Sequence, residues 1–204
     1  MSALKYPWKF YIWDLGGTLL DNYEISTAAF LEALTEFGIP ASHDDVYEAL
    51  RVSTEHAVAK FAPTIPGFLE RYRELEAPHL EDPILYPGVP AVLAAVAAAG
   101  GANYLVSHRD NQVLNILKQA DIAQYFTEVV TKDSGFARKP DPAAFNYLIT
   151  KYELPRDLTA TVGDRPIDIE AGQAAGIATI CFGPVCTHPG PTICIDTLTD
   201  LITQ

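Results

Sequence analysis

The sequence predicts an α/β fold in which a parallel sheet with crossover helices is interrupted by an inserted helical segment. Two observations support this prediction. Short runs of β-branched and aromatic residues alternate with longer segments of helical spacing, which is typical of a parallel sheet with helices between its strands. The first two runs, however, are separated by a stretch that is too long for a single crossover and contains no good strand pattern.

The strands and their connecting helices follow one another along most of the chain. The expected strands are residues 9–14, 102–107, 128–131, 159–163, 179–182 and 192–195. The expected connecting helices are residues 90–100, 111–120, 142–152 and 168–175. The first of these helices begins with a proline and ends at a pair of glycines, as helices commonly do. We therefore assign residues 1–18 and 86–204 to one α/β core.

Residues 19–85 form the exception to this alternation. Apolar residues occur at helical spacing over residues 25–37, and helical patterns return at 44–50 and 68–75. Glycines and prolines separate these segments from one another. We therefore expect residues 19–85 to be a helical module inserted into the core.

Composition indicates a globular protein and argues against several partners. The 204 residues are 49% hydrophobic, and 26 acidic residues against 14 Lys and Arg give a net charge of -12. Nucleic-acid binding requires clustered basic residues, so we expect no nucleic-acid partner. Because the sequence contains neither a bilayer-length apolar run nor a signal-peptide pattern, we expect a cytoplasmic protein without a membrane partner. The expected oligomeric state is a monomer or weak dimer. Cys181, Cys186 and Cys194 lack metal-site spacing and are expected to be reduced thiols.

Candidate residues for a functional site follow the ends of several predicted strands. They are, in chain order, Asp14, Gly16, Gly17, Thr18, Ser107, His108, Lys139, Asp164 and Asp168. Ligands of open parallel sheets bind beyond the carboxyl ends of the strands, so we expect these residues to converge. Taken singly, several have structural explanations, such as helix caps for Thr18 and Ser107. The joint pattern favours one functional site.

This ordered set resembles the motifs of the haloacid dehalogenase superfamily, in particular its phosphoglycolate-phosphatase-like members with an α-helical cap. Segment 14–18 is similar to the first motif, Asp-x-Asp-x-Thr, with one departure, and segment 163–168 is similar to the fourth. Ser107 matches the second motif and Lys139 the third. The resemblance implies a Rossmann-like core, a helical cap at residues 19–85, and Mg²⁺-dependent hydrolysis of a small phosphorylated metabolite.

The resemblance also implies roles for the residues of the site. Asp14 is expected to form an aspartyl-phosphate, which divides one difficult displacement into two easier ones. Thr18 and Ser107 are expected to donate hydrogen bonds to the phosphoryl group, and Lys139 to offset its charge. The implied substrate-binding residues are Gly17, Ser107, His108 and Lys139. The implied Mg²⁺ ligands are Asp14, Gly16 through its main-chain carbonyl, Asp164, and Asp168 either directly or through water.

Gly16 is the departure from the family pattern. Most phosphatases of the superfamily carry a second aspartate there, which protonates the leaving alcohol and then activates water. General acid–base catalysis typically contributes about 10²–10⁴-fold to a rate. Three explanations are open: the substrate has a good leaving group, another residue supplies the proton, or the protein binds phosphate without turnover.

Several residues could supply the missing proton. The inserted module offers Asp21, Glu24, His43, His56 and Lys60, and the core offers His108. Lys60 is the only lysine of the insert. Since phosphonoacetaldehyde hydrolases lack the second aspartate and use a cap lysine, a phosphonatase-like C–P hydrolase is a minor alternative.

Overall fold

The structure is a computed structural model that describes residues 3–81, 83–183 and 190–203. It divides into two compact units. The core unit combines Met1–Leu20 with Leu85–Gln204, and the helical unit comprises Asp21–Ile84. The helices, in chain order, are α1 (Asn22–Glu36), α2 (His43–Val52), α3 (Thr54–Phe61), α4 (Phe68–Glu76), α5 (Val89–Ala98), α6 (Gln112–Gln119), α7 (Ala143–Lys151) and α8 (Pro166–Ala174).

The core unit is built on a six-stranded parallel sheet. Its strands are β1 (Phe10–Trp13), β2 (Ala102–Val106), β3 (Phe126–Val130), β4 (Thr159–Gly163), β5 (Ala178–Phe182) and β6 (Ile193–Ile195). They lie in the order β3-β2-β1-β4-β5-β6, which is the doubly wound arrangement of Rossmann-like sheets. The predicted α/β class and the Rossmann-like core are confirmed.

Side-chain alternation along β1 explains why helices cover both faces of the sheet. Successive residues of a strand point to opposite faces. Tyr11 and Trp13 belong to the apolar cluster that includes buried residues of α5 and α6. Ile12 belongs to the opposite cluster, which includes buried residues of α7 and α8. Because β1 is apolar on both faces, it is stable only in the middle of such a layered core.

The helical unit has its own apolar core, centred on α1. The ring of Phe30 is fully buried and lies 4.9 Å from the ring of Phe68 and 5.1 Å from that of Tyr72, in edge-on geometry. Helices α1, α2 and α4 contain the three helical patterns of the sequence. The short helix α3 has no counterpart among the predicted elements, because it buries little apolar surface. Its one sequence signal is Ser53, whose hydroxyl accepts a hydrogen bond from the His56 N–H at 3.0 Å.

Two further sequence expectations concern the cysteines and the membrane. Cys181 takes part in a disulfide, so the expectation of reduced thiols is wrong for this residue. Cys194 is a free, exposed thiol, and Cys186 lies outside the described residues. Among the described helices, none combines the length and the apolar character needed to cross a membrane.

Candidate functional site

Strand pairing places the first two candidate residues, Asp14 and Ser107, at one edge of the sheet. Asp14 follows β1, and its main-chain N–H donates to the carbonyl of Val162 in the neighbouring strand β4 at 2.9 Å. Ser107 follows β2, and its N–H donates to the carbonyl of Val130 in β3 at 2.9 Å. Parallel strands end at the same edge, so hydrogen bonds of the sheet itself hold both residues in place.

Lys139 occupies the centre of the candidate site. Its ammonium donates to Asp14 Oδ1 and to Asp168 Oδ1, each at 2.5 Å, and to the carbonyl of Val106 at 3.1 Å. The lysine side chain is 1% exposed. Burial disfavours the charged form, but the charges and hydrogen bonds of the two aspartates outweigh it and raise the pKa of Lys139. The two aspartates therefore favour the charged form of the buried lysine.

Lys139 contacts two members of a cluster of three buried carboxylates. Asp14, Asp164 and Asp168 each offer an oxygen, and these oxygens all lie within 4.8 Å of one another. Thr18 adds a contact by donating its hydroxyl to Asp164 Oδ1 at 3.3 Å. In their ionised form, the three carboxylates carry two more charges than the one buried lysine offsets. A divalent cation would neutralise this excess, and buried hard oxygen donors are the ligands that such a cation prefers.

Asp168 is the most enclosed of the three. Its Oδ1 accepts from Lys139, and its Oδ2 accepts from the main-chain N–H of Arg165 at 3.2 Å. Burial raises the pKa of Asp168, and although Lys139 lowers it, the net pKa stays above its usual range. Gly163 makes room for this carboxylate, because a Cβ at residue 163 would overlap the Asp168 side chain.

The loop after β1 depends on a second glycine. Gly17 has φ of +85°, a left-handed conformation that glycine adopts without strain. Its N–H donates to the carbonyl of Leu20 at 2.9 Å, which closes the turn that holds Thr18 inside. Gly16 differs from Gly17, because a Cβ built on it has no neighbour within 4 Å. Steric crowding therefore does not explain the glycine at position 16.

The side chain of His108 accepts a hydrogen bond from the main chain of Lys139. The N–H of Lys139 donates to His108 Nε2 at 2.8 Å. Burial, followed by the nearby charges of Lys139 and Arg138, lowers the pKa of His108 to about 4. The imidazole is therefore neutral at physiological pH. Ser107 is also engaged locally, because its hydroxyl accepts from the Arg109 N–H at 3.2 Å.

The depressed pKa of His108 predicts a pH-dependent loss of stability. Between the usual value of 6.5 and about 4, the unfolded chain binds a proton that the folded chain does not, so stability falls as pH decreases through this interval. From pH 7.5 to 5 we expect a loss of about 1 kcal/mol from this half-buried group, after allowing for solvent screening. Urea titrations at both pH values measure the change.

The matched control for this measurement is His108→Gln, which keeps an acceptor for Lys139 but does not titrate. The variant should lose about 1 kcal/mol less than the native protein over the same pH range. Equal losses in the two proteins would show that His108 is not the responsible group.

The predicted residues differ in how closely the structure connects them. Hydrogen bonds join Lys139 to Asp14 and Asp168, and Thr18 to Asp164. Oxygens of the three aspartates lie within 4.8 Å of one another, which brings both sets together. In the helical unit, His43 lies 3.0 Å from Glu24, and Lys60 lies 3.9 Å from Asp45.

Two members of the site were not predicted. The carbonyl of Val106 is a partner of Lys139, and Arg138 lies beside His108. A carbonyl carries no sequence signal. Arg138 does have a sequence signal: it directly precedes Lys139, the lysine that matches the third motif.

Comparisons with known proteins agree with this arrangement. The family model described as haloacid dehalogenase-like hydrolase matches residues 11–182. The phosphoglycolate phosphatase of Vibrio cholerae is 31% identical over 183 residues, which cover 82% of this chain and 81% of the relative. That of Pseudomonas syringae pv. syringae is 27% identical and covers 99% of this chain and 81% of the relative.

The chain is also similar to solved structures of a hydrolase and of a haloacid dehalogenase-like protein. A hydrolase from Streptococcus pneumoniae is 56% identical, with a TM-score of 0.75, over 85% of this chain and 92% of that chain. A conserved haloacid dehalogenase-like protein from Agrobacterium tumefaciens is 25% identical, with a TM-score of 0.81, over 95% of this chain and 96% of that chain.

Proposed function

Because the chain belongs to the haloacid dehalogenase-like hydrolase family, we propose that it is a Mg²⁺-dependent phosphatase that acts on a small phosphorylated metabolite through Asp14. One observation carries the proposal: a fully buried lysine bridges Asp14 and Asp168 within a cluster of three buried carboxylates. The relatives named phosphoglycolate phosphatase support a phosphate ester as the substrate.

Asp14 is the proposed nucleophile. Its carboxylate attacks phosphorus, the ester P–O bond breaks, and the leaving group departs as an alkoxide or phenolate that takes a proton from solvent. Water then attacks the phosphorus of the acyl-phosphate, the bond between phosphorus and the Asp14 oxygen breaks, and inorganic phosphate leaves with the Asp14 carboxylate regenerated. Lys139 holds Asp14 in position through the 2.5 Å hydrogen bond and offsets negative charge on the phosphoryl oxygens. Thr18 and Ser107 lie in the loops that follow β1 and β2 and would donate their hydroxyls to those oxygens, the Thr18 hydroxyl by turning away from Asp164. Gly17, whose N–H is bonded to the Leu20 carbonyl, would shape the loop that binds the phosphoryl group.

Mg²⁺ is the proposed cofactor. Asp14 and Asp164 would hold it through carboxylate oxygens and Gly16 through its carbonyl, with Asp168 directly or through water. When bound, the ion supplies positive charge that offsets the repulsion between the carboxylates and an anionic substrate. The three buried aspartates fit this role through their oxygen donors and their excess negative charge.

The domain division follows from the same proposal. We propose residues 1–18 and 86–204 as the catalytic core and residues 19–85 as a cap that selects the substrate. The cap would contribute specificity, and the core would contribute the residues of phosphoryl transfer.

Assays with p-nitrophenyl phosphate and acetyl phosphate in the presence of Mg²⁺ test the proposed activity. Both probes have good leaving groups, so they do not require the acid that Gly16 lacks. We expect hydrolysis of at least one probe, well above that of the Asp14→Asn variant. No difference between the two proteins would favour the second candidate function, a phosphate-binding protein without turnover, which the glycine at position 16 makes possible.

Gly16→Asp should raise the turnover of alkyl phosphates. A Cβ on residue 16 would have no neighbour within 4 Å, so a side chain can begin there without a clash, and an aspartate would supply a carboxyl group to protonate the leaving alkoxide. We expect a gain of about 10²-fold in kcat for an alkyl phosphate, the lower end of general acid catalysis. The measurement compares kcat for an alkyl phosphate and for p-nitrophenyl phosphate.

The matched control is Gly16→Asn, which has the same size but no proton to donate. It should leave the alkyl phosphate rate at the native level or below. A fall of both rates in Gly16→Asp would show that the missing acid does not limit the enzyme.

A further inference from the structure

Two residues at and just after the end of β2 bond to opposite ends of Lys139. The carbonyl of Val106 accepts from the lysine ammonium at 3.1 Å. His108 Nε2 accepts from the main-chain N–H of the same lysine at 2.8 Å. Ser107, which is proposed to bind the phosphoryl group, lies between these two residues in the chain. The end of β2 therefore holds Lys139 in a defined position relative to Ser107.

The bond from Lys139 also determines which nitrogen of the imidazole carries the hydrogen. A main-chain N–H can only donate, so His108 Nε2 is the acceptor and carries no hydrogen. Burial lowers the pKa of His108 to about 4, so the ring is neutral at physiological pH and its hydrogen lies on Nδ1. Arg138 Nη2 lies 3.3 Å from Nδ1, but a guanidinium cannot accept, so this second contact is not a hydrogen bond.

Regular secondary structure does not fix the main chain of Lys139. The residue lies before α7, outside the helices and strands of the described chain. Its N–H takes no part in a helix or in the sheet and is bonded to a side chain instead. At the other end of the residue, the ammonium contacts Asp14 Oδ1 at 2.5 Å. The position of the ammonium at the nucleophile therefore depends on where His108 holds the main chain.

The loop that carries His108 is itself bonded to the loop after β3. The N–H of Lys132 donates to the carbonyl of Arg109 at 2.8 Å. The N–H of Asn111 donates to Asp133 Oδ2 at 2.9 Å. These bonds hold the segment directly after His108, so the imidazole is attached to a well-fixed support.

We infer that His108 is a positioning residue that acts on catalysis through Lys139, by holding its main chain where the ammonium meets Asp14. The inference rests on the proposed function, in which Lys139 offsets charge on the phosphoryl group. It differs from the substrate-binding role that the family resemblance implies for His108, because Nε2 already accepts from the protein.

The inference concerns position more than the strength of one hydrogen bond. A water molecule can bond to the Lys139 N–H when the imidazole is absent, because His108 is only partly buried. Such a water is not attached to β2, so it does not hold the lysine. Loss of the imidazole should therefore affect the rate of the reaction more than the affinity for the substrate.

Two variants of similar size separate the acceptor from the bulk of the side chain. His108→Leu fills the space without an acceptor, and His108→Gln is the matched control that keeps one. With p-nitrophenyl phosphate and Mg²⁺, His108→Leu should lower kcat by about 10–100-fold, since a misplacement of about 1 Å can lower a rate by about 10²-fold. KM should change less than about 3-fold, and His108→Gln should keep kcat within about 3-fold of the native value.

Three kinetic results would overturn the inference. A raised KM with unchanged kcat in His108→Leu would assign His108 to substrate binding. Equal losses of kcat in the two variants would show that the acceptor is not what matters. Native kcat in both variants would show that Lys139 needs no support from the imidazole.

NMR of the ¹⁵N-labelled imidazole tests the contact without turnover. At neutral pH, His108 of the native protein should be the Nδ1–H tautomer, with its signals identified by their absence from His108→Gln. The Nε2–H tautomer would overturn the inference, because Nε2 then has no lone pair to accept from Lys139. This measurement keeps the inference refutable if His108→Leu does not fold. Absence of hydrolysis by a native protein that has the Nδ1–H tautomer would contradict the proposed function, not the contact.

Discussion

Asp14→Asn is expected to reduce the hydrolysis of p-nitrophenyl phosphate and acetyl phosphate by about 10³-fold or more, the usual effect of removing a nucleophile. The amide has the size of the carboxylate but cannot attack phosphorus. It retains an oxygen that can accept from Lys139, which lies 2.5 Å from Asp14 Oδ1. Since the change also removes one acidic group from a cluster in which three carboxylates accompany one lysine, the fold should remain stable. Initial rates and thermal melting curves measure the two effects.

The matched control for Asp14→Asn is Asp157→Asn on the exposed surface of the core unit. It makes the same chemical change outside the site and should leave the rate unaltered. If Asp14→Asn kept more than about a tenth of the native rate, another residue would be the nucleophile. Detection of a phosphoryl group on Asp14 by mass spectrometry of the acid-quenched enzyme would support the covalent route and exclude a protein that only binds phosphate.

Lys139→Met is expected to affect both catalysis and stability. Methionine has a similar length but no charge, so Asp14 and Asp168 would face one another without a cation between them. Breaking a buried ion pair by removing one partner typically costs about 3–5 kcal/mol. The loss of positive charge at the phosphoryl site should reduce kcat by about 10²–10³-fold. Urea unfolding in the presence of a chelator and initial rates with Mg²⁺ measure these effects.

Mg²⁺ should recover part of the stability of Lys139→Met, because a dication between the carboxylates replaces the missing charge. Lys118→Met, on the exposed surface of α6, is the control and should change stability by less than about 0.5 kcal/mol. Unchanged stability of Lys139→Met in the chelator would contradict the role of Lys139 as the cation that compensates these aspartates.

The sequence predicted the core well because its signals are local. Runs such as 159–163 combine β-branched residues with flanking turns, and the structure has strand β4 at Thr159–Gly163. The predicted ends of other strands were less accurate. Residues 9–14 were predicted as a strand, but β1 is Phe10–Trp13, so Asp14 lies beyond the strand. Strand ends depend on which neighbour a residue pairs with, and pairing is a property of the folded sheet.

Helix α3 shows the limit of periodicity. Its apolar face is short, and Ala57 is its one buried side chain. A helix that buries so little is held by its cap and by its neighbours, and neither leaves a strong periodic pattern in the sequence. The contacts of Phe30 with the rings of Phe68 and Tyr72 likewise join residues that are distant in the chain.

The sequence by itself determined the fold class, the order of the motifs and the candidate residues of the site, because strand patterns and motif spacings are local features of the chain. The tertiary structure decided how those residues interact. Lys139 lies between Asp14 and Asp168, and His108 accepts from the Lys139 main chain beside Arg138. These contacts join residues up to 125 positions apart. They arise because the parallel strands end at one edge of the sheet, which brings these residues together. Burial and charge then determine which of them pair with one another.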